Sequence, residues 1–357
     1  MSVPAEQKVL LLLQHAGPYE IRSVPNHTLQ AGEVLVRVEA AGLNPSDWKT
    51  RFTEYSFALG GVYPARQGHD VAGTIVQLGE GVTAFAVGDK VFHQGYYSNR
   101  LAGFQQYTAV AADLVAMAPK NLSVDQITSI PLALMTAAAG FYQPRNTTGG
   151  GAGITPFWQD GGRGKYADEP IFIFGGSSSV GHYAIQLAKL GGFSPIITTA
   201  SAKYNDFLKS LGATHVIDRT LPLSQLPEEV KKITATPITF VYDAISEAGT
   251  QNAGYNILAP GGVLILVLLD AIDKAKKTED KEVTMAYGSP HIDDPKARAL
   301  GVEMYERITG WFESAVLRPT DVEYVPGGLN VIPDAQERVR AGTVGARKLI
   351  VHPQETA

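Results

Sequence analysis

Hydrophobic and polar positions divide the chain into two patterns. Through the first third, short apolar runs at 9–14, 33–40, 71–78 and 90–93 are separated by Gly, Pro, Asn and Asp, which predicts strands joined by tight turns. Gly79-Glu80-Gly81 and Gly88-Asp89 mark two of those turns. From residue 171 the pattern changes. The apolar run Ile171-Phe172-Ile173-Phe174 meets a Gly/Ser turn, and then Val180, Ala184 and Leu187 recur at helical spacing. Further strands are predicted at 195–199, 215–218, 238–243 and 263–268, with helices at 203–211, 226–233 and about 251–258. Such alternation implies parallel strands with crossover helices, a doubly wound α/β sheet. Helical patterning from 123 past Pro131 to 142 leads into this region, and a charged turn at 270–282 precedes a helix at 295–315. The tail mixes strand and helix (322–325, 333–340, 348–352) and can return to the first domain. Residues 145–169 are glycine-rich with little periodicity, which predicts a mobile surface loop ahead of the first parallel strand.

Composition narrows the class. A chain of 357 residues suits two domains. With 45% hydrophobic and 18% charged residues it has ample material for a core. A net charge of −5 and a pI near 5.9 argue against a nucleic-acid or anionic-membrane surface. No apolar run approaches the length of a signal or membrane segment, so a cytoplasmic protein is expected. The chain has no cysteine, which excludes disulfides and thiolate-ligated zinc.

The turn after the first parallel strand carries the first chemistry. Gly175, Gly176, Ser177, Ser178, Ser179, Val180 and Gly181 join a strand to a helix start, where free amides and the positive end of the helix dipole attract an anion. A dinucleotide pyrophosphate is the usual occupant. The run departs from G-x-G-x-x-G, because Ser178 takes the middle glycine position. At the end of the next strand an NAD site would carry a carboxylate for the ribose 2′-hydroxyl. Here Ser201 and Lys203 stand instead, a hydroxyl and an ammonium that suit a 2′-phosphate and favour NADP(H). A capping role for Ser201 and a solvated Lys203 are compatible alternatives. Arg219, past the third strand, is a second candidate phosphate partner.

Three segments together resemble one family: Asn44-Pro45-Ser46-Asp47, Gly68-His69-Asp70-Val71-Ala72-Gly73 with the Gly79 and Gly88-Asp89 continuation, and the Gly175 to Gly181 loop. The chain resembles the medium-chain dehydrogenase/reductase superfamily over nearly its whole length. Within it, the chain is most similar to the zinc-free quinone oxidoreductase and enoyl reductase branch, of the fungal ToxD-like or trans-acting polyketide enoyl reductase type. Phe207-Leu208-Lys209-Ser210-Leu211-Gly212-Ala213 and the 145–169 loop support that subgroup. The resemblance implies a GroES-like β-rich catalytic domain formed by residues 1–127 and 316–357, and a Rossmann NADP-binding domain at 128–315.

Zinc-dependent members carry a catalytic Cys near the position of Asn44 and a His in the Gly-His-Glu segment. This chain keeps His69 alone, flanked by Asp47 and Asp70, which is not a closed tetrahedral set, so no metal is expected and His69 reads as a hydrogen-bonded core or cleft residue. Without a Lewis acid, hydride removal from an alcohol becomes difficult. Reduction of a double bond conjugated to a carbonyl makes lighter demands: a donor for the enolate oxygen, a proton for the α-carbon, and a dry cleft. The resemblance makes Tyr55 the candidate acid, a phenol neutral at pH 7; packing of a loop aromatic beside Phe52 and Phe57 is the alternative. It places Asn44 and Asp47 against nicotinamide or substrate, although Asn-Pro-Ser-Asp is also a strong turn signal. It sets Thr136 on the cofactor, where a helix-bonded hydroxyl is the alternative. Val267, Leu268 and Leu269, at the end of the last Rossmann strand, would flank the nicotinamide ring, and Lys348 comes near the cleft.

The expected function is NADPH-dependent reduction of an enone, enal or enoyl substrate. Alternatives are an NADPH:quinone oxidoreductase, a trans-acting enoyl reductase partnered with a polyketide synthase, and a non-catalytic NADPH-binding protein. Either a monomer or a homodimer fits the family.

Overall fold

The computed structural model describes residues 3–145 and 149–357, in two compact units. The first unit joins residues 1–132 to 301–357, and the second spans 133–300.

The first unit is built on β-strands. β1 (Glu6–Leu12) and β2 (Tyr19–Pro25) form an antiparallel hairpin. β3 (Glu33–Gly42) leads into the short helix α1 (Pro45–Phe52) and returns as β4 (Asp70–Leu78), β5 (Lys90–Gln94), β6 (Tyr107–Ala111) and β7 (Val115–Met117). β3 is the hub, since it pairs antiparallel with both β4 and β6. Its valines at 34, 36 and 38 and Ala40 are wholly buried, while Arg37 and Glu39 between them are only partly so, the in/out alternation of an antiparallel strand. The 123–142 helix expected as one element is two, α2 (Val124–Thr128) and α3 (Pro131–Tyr142). Pro131 explains the break, because it disfavours helical geometry in the residue before it.

The second unit is the expected doubly wound sheet. Its elements are β8 (Ile171–Phe174), α4 (Ser179–Gly191), β9 (Ile196–Ala200), α5 (Asn205–Leu211), β10 (His215–Asp218), α6 (Leu226–Ile233), β11 (Phe240–Asp243), α7 (Ala248–Ile257), β12 (Val263–Leu266) and β13 (Glu282–Met285). All pairs are parallel, in the order β10-β9-β8-β11-β12-β13. β12 is therefore not the last strand; β13 lies beyond it, starting at Glu282 where the charged turn expected at 270–282 ends. The strand also ends at Leu266, so Val267, Leu268 and Leu269 lie just past it.

Of the loop expected at 145–169, residues 146–148 lie outside the described residues. The remainder has no helix or strand, yet it is packed. Ile154, Phe157 and Tyr166 are buried, and Tyr166 stacks on Phe193 at 5.0 Å. These aromatics bury surface that a mobile loop would leave in water, which corrects the expectation of mobility.

The chain completes its path with α8 (Pro295–Tyr305), α9 (Ile308–Glu313), β14 (Asp321–Tyr324), α10 (Ile332–Arg340) and β15 (Arg347–Val351). The helix expected at 295–315 is thus two. β15 inserts between β14 and β3, and Leu349 and Val351 join Leu10, Val38, Val71 and Phe104 in one core cluster. Among the described residues no helix is long and apolar enough to cross a membrane.

Candidate active site

In the second unit the phosphate loop is shaped by close approaches. Gly175 adopts φ +71°, and its amide donates to Thr199 Oγ1 at 3.0 Å. A Cβ on Gly176 would stand 2.4 Å from Thr198 Oγ1, and one on Gly181 would stand 2.2 Å from the Gly175 carbonyl oxygen. Only glycine fits at either position. Ser178 is different: it is the N-cap of α4 at φ −75° and its hydroxyl accepts from the Gly181 amide at 3.0 Å. The missing middle glycine is therefore explained, because that position caps the helix and needs no special backbone. A helix start leaves its first amides without intrahelical acceptors, and Ser179 and Val180 supply them beside Ser177. Thr199, which holds the loop to β9, escaped the sequence reading; a hydroxyl on a buried strand gives no pattern to find it by.

Ser201 and Lys203 follow β9, and the Arg219 amide, just past β10, donates to the Ala200 carbonyl at 2.9 Å. The three thus gather at the carboxyl ends of neighbouring strands. Ser201 precedes the 3₁₀ turn Ala202–Tyr204, where its side chain makes no capping hydrogen bond, so the capping alternative does not hold. Lys203 Nζ lies 5.0 Å from the Tyr204 ring centre. Thr136 lies on α3, with its carbonyl accepting from the Tyr242 hydroxyl at 2.8 Å. The backbone of Gly288 presses against it so closely that a Cβ there would meet Thr136 Oγ1 at 2.2 Å. Glycine cradles, a capped helix mouth and a cationic strand end are a fitting donor set for a dinucleotide.

The first unit gathers a second cluster. Asn44 and Asp47 do form a turn, the start of α1: the Asn44 amide donates to Asp47 Oδ2 at 2.7 Å. The Asn44 side chain is committed inward, donating from Nδ2 to Asp70 Oδ2 at 2.7 Å and accepting from Lys348 Nζ at 2.7 Å. Lys348, only 2% exposed, also pairs with Asp70, whose Oδ1 accepts the Leu132 amide at 2.7 Å. His69 Nδ1 stands 3.4 Å from Asp47 Oδ1, and the ring meets Tyr97 edge-on at 4.3 Å. Neither imidazole nitrogen has a hydrogen-bond partner among the described residues. The sequence reading of His69 as a hydrogen-bonded residue is corrected: it is buried and packed on an aromatic edge. Gln67 Nε2 holds the far side of α1 through the Asp47 carbonyl at 2.9 Å and Thr50 Oγ1 at 2.7 Å. Gln67 in turn receives the Tyr19 hydroxyl, whose pKa burial pushes up. Tyr55 follows α1. It sits half-buried on a 3₁₀ turn whose N-cap Thr53 accepts its amide, 6.1 Å from the exposed Phe57 ring.

Tetrahedral zinc does not fit this cluster. The single imidazole is accompanied by no thiolate, and the Asp70 carboxylate is occupied by an ammonium and an amide. Among the described residues no group of three or more His, Asp or Glu is placed to hold a metal.

Comparison with known proteins agrees with both halves. The alcohol dehydrogenase GroES-like domain matches residues 30–120, and the zinc-binding dehydrogenase family matches residues 179–286. Trans-enoyl reductase himH of Aspergillus japonicus is 33% identical over 330 residues, covering 89% of each chain. Dehydrogenase azaJ of Aspergillus niger is 34% identical over 353 residues, 93% of this chain and 94% of that one. An alcohol dehydrogenase superfamily protein from Novosphingobium aromaticivorans has the same fold, with a TM-score of 0.78 at 24% identity over 97% of this chain and 99% of that one.

Proposed function

The chain belongs to the medium-chain dehydrogenase/reductase superfamily, and from that premise we propose that it is an NADPH-dependent, zinc-independent reductase of carbon–carbon double bonds conjugated to a carbonyl. The likeness to a trans-enoyl reductase over 89% of both chains carries this reading. A Rossmann unit in this family implies a nicotinamide cofactor, and when bound that cofactor supplies a hydride. The residues of the chain do the rest. Gly175 to Gly181 seat the pyrophosphate; Ser201, Lys203 and Arg219 answer the 2′-phosphate; Thr136 and Val267 to Leu269 border the nicotinamide end.

Reduction of a conjugated double bond moves charge onto the carbonyl oxygen and leaves the α-carbon in need of a proton. Tyr55 supplies the donor, since a phenol O–H can donate to the enolate oxygen. Asn44 has both ends of its amide engaged by Asp70 and Lys348, so its part is to hold the start of α1. Asp47 receives the Asn44 amide and faces His69, which fixes the same turn. No step uses a metal.

The test is NADPH oxidation by the full-length protein against an enone, an enoyl thioester free and carrier-bound, and a quinone. Turnover of an α,β-unsaturated carbonyl is expected, with NADPH preferred to NADH and no effect of a chelator. Tyr55→Phe is expected to lower kcat by about 10²-fold or more while NADPH affinity holds. Turnover of the quinone alone would make the protein a quinone oxidoreductase. Tight NADPH binding without any turnover would make it a binding protein, and activity confined to the carrier-bound thioester would assign it to a polyketide synthase.

A further inference from the structure

A buried polar network spans the carboxyl ends of β11 and β12. Asp243 Oδ1 accepts the amides of Ile245 at 3.0 Å and Ser246 at 2.7 Å. The Ser246 hydroxyl donates to the Asp243 carbonyl at 2.6 Å and accepts the Val267 amide at 2.8 Å. Gln251, on α7, donates from Nε2 to the carbonyls of Ser246 at 2.8 Å and Leu269 at 2.9 Å, and its Oε1 accepts the Ala271 amide at 2.7 Å. Asp243 and Gln251 are wholly buried and Ser246 is 2% exposed.

Its place in the sheet gives the network its meaning. The chain runs outward from β8 to β9 and β10 on one side and to β11, β12 and β13 on the other. In such sheets ligands bind at the carboxyl ends of the strands, where the order reverses. The ladder of β12 stops at Leu266; beyond it, residues 267–271 are held by Ser246 and Gln251. That segment carries Leu269, a large apolar side chain left 40% exposed. Ser246 itself sits at φ +54°, a strained backbone for a non-glycine residue that persists where surrounding bonds over-determine it. The Asp243–Ser246 turn also packs on the phosphate loop, since a Cβ on Gly175 would meet Ile245 Cδ1 at 2.4 Å.

We propose that Ser246 and Gln251 are positioning residues for the nicotinamide half of the cofactor: they fix the backbone of 267–271 against the phosphate loop, so that this half binds to a preformed edge. The proposal rests on the NADPH reading above. The adenine half answers to Ser201, Lys203 and Arg219, just past β9 and β10, which none of these hydrogen bonds reaches, so the two halves of the cofactor report separately.

The experiment titrates NADPH and 2′,5′-ADP, which carries the adenine half alone, into full-length wild type, Gln251→Leu and Ser246→Ala, followed calorimetrically. Both variants are expected to weaken NADPH by about 10-fold, while 2′,5′-ADP affinity stays within about 2-fold of wild type. Equal loss of both ligands would mean that the network merely holds the unit together, and would overturn the proposal. So would unchanged NADPH affinity. Should Gln251→Leu fail to fold, Ser246→Ala, which removes a single hydroxyl, carries the same test. Failure of the wild type itself to bind NADPH would overturn the cofactor reading, a result distinct from wild type and variants binding alike.

Discussion

Lys348 meets Asn44 across 304 positions of sequence, and its ammonium is the positive partner of Asp70 in a fully buried setting. Two charges removed from water gain little net stability from each other, but either one left alone is costly. Lys348→Met is therefore expected to destabilise the protein by about 3–5 kcal/mol in urea unfolding, because Asp70 is left buried without its cationic partner. Lys348→Met combined with Asp70→Asn should recover most of that loss. Strictly additive losses in the double variant would show that the two side chains are not coupled. The residues of this cluster were legible unequally. Asn44, Asp47, His69 and Asp70 stand in compact motifs, which is why they can be singled out in the sequence. Their engagement with Lys348 is not readable from spacing, since it depends on β15 returning beside β3.

At the scale of elements, the β11–α7 connection offers a titration. Burial lifts the Asp243 carboxyl to about 6, against about 3.9 for an unfolded aspartate. The folded protein thus holds this proton more tightly than the unfolded chain does. The stabilisation from that proton is fully present below pH ~4 and is lost as pH rises through about 6. Asp243→Asn removes the titration, so the unfolding free energy of the variant should gain on wild type between pH ~4 and ~7, by up to roughly 3 kcal/mol. Parallel pH profiles for the two proteins would refute the assignment. Elements with strong periodicity were the ones readable in advance: β8, β10 and α6 (an apolar run, a short strand, a charged amphipathic helix) fall where the pattern puts them. Four strands were missed: β2, largely exposed in a lone hairpin; β13, a half-buried edge strand; and β6 and β7, mostly buried but only five and three residues long. β2 and β13 alternate over only a few residues (Tyr19-Glu20-Ile21-Arg22 and Glu282-Val283-Thr284-Met285), too short a stretch to stand out, and pairing with a neighbour overrides weak propensity.

At the scale of the whole chain, the first unit is closed by residues far along the sequence. The first unit needs residues 301–357 as well as 1–132, and its final turn, Pro353–Glu355, is stitched to distant strands. Gln354 Nε2 donates to the Val38 carbonyl at 3.0 Å and to the Gln106 carbonyl at 2.7 Å. Beside it, Thr356 Oγ1 accepts the Leu329 amide at 2.9 Å. One amide thus satisfies acceptors on β3 and on the approach to β6, which no local sequence rule could reveal. Gln354→Ala leaves two carbonyls without this donor, at a cost of about 1–3 kcal/mol. The cost belongs to one unit, so hydrogen exchange should resolve where it falls. Amides of β3 and β6 are expected to exchange faster in the variant, while those of β8, β11 and β12 keep their wild-type protection. Uniform acceleration across both sets would instead mean that the C-terminal turn stabilises the chain as one cooperative body.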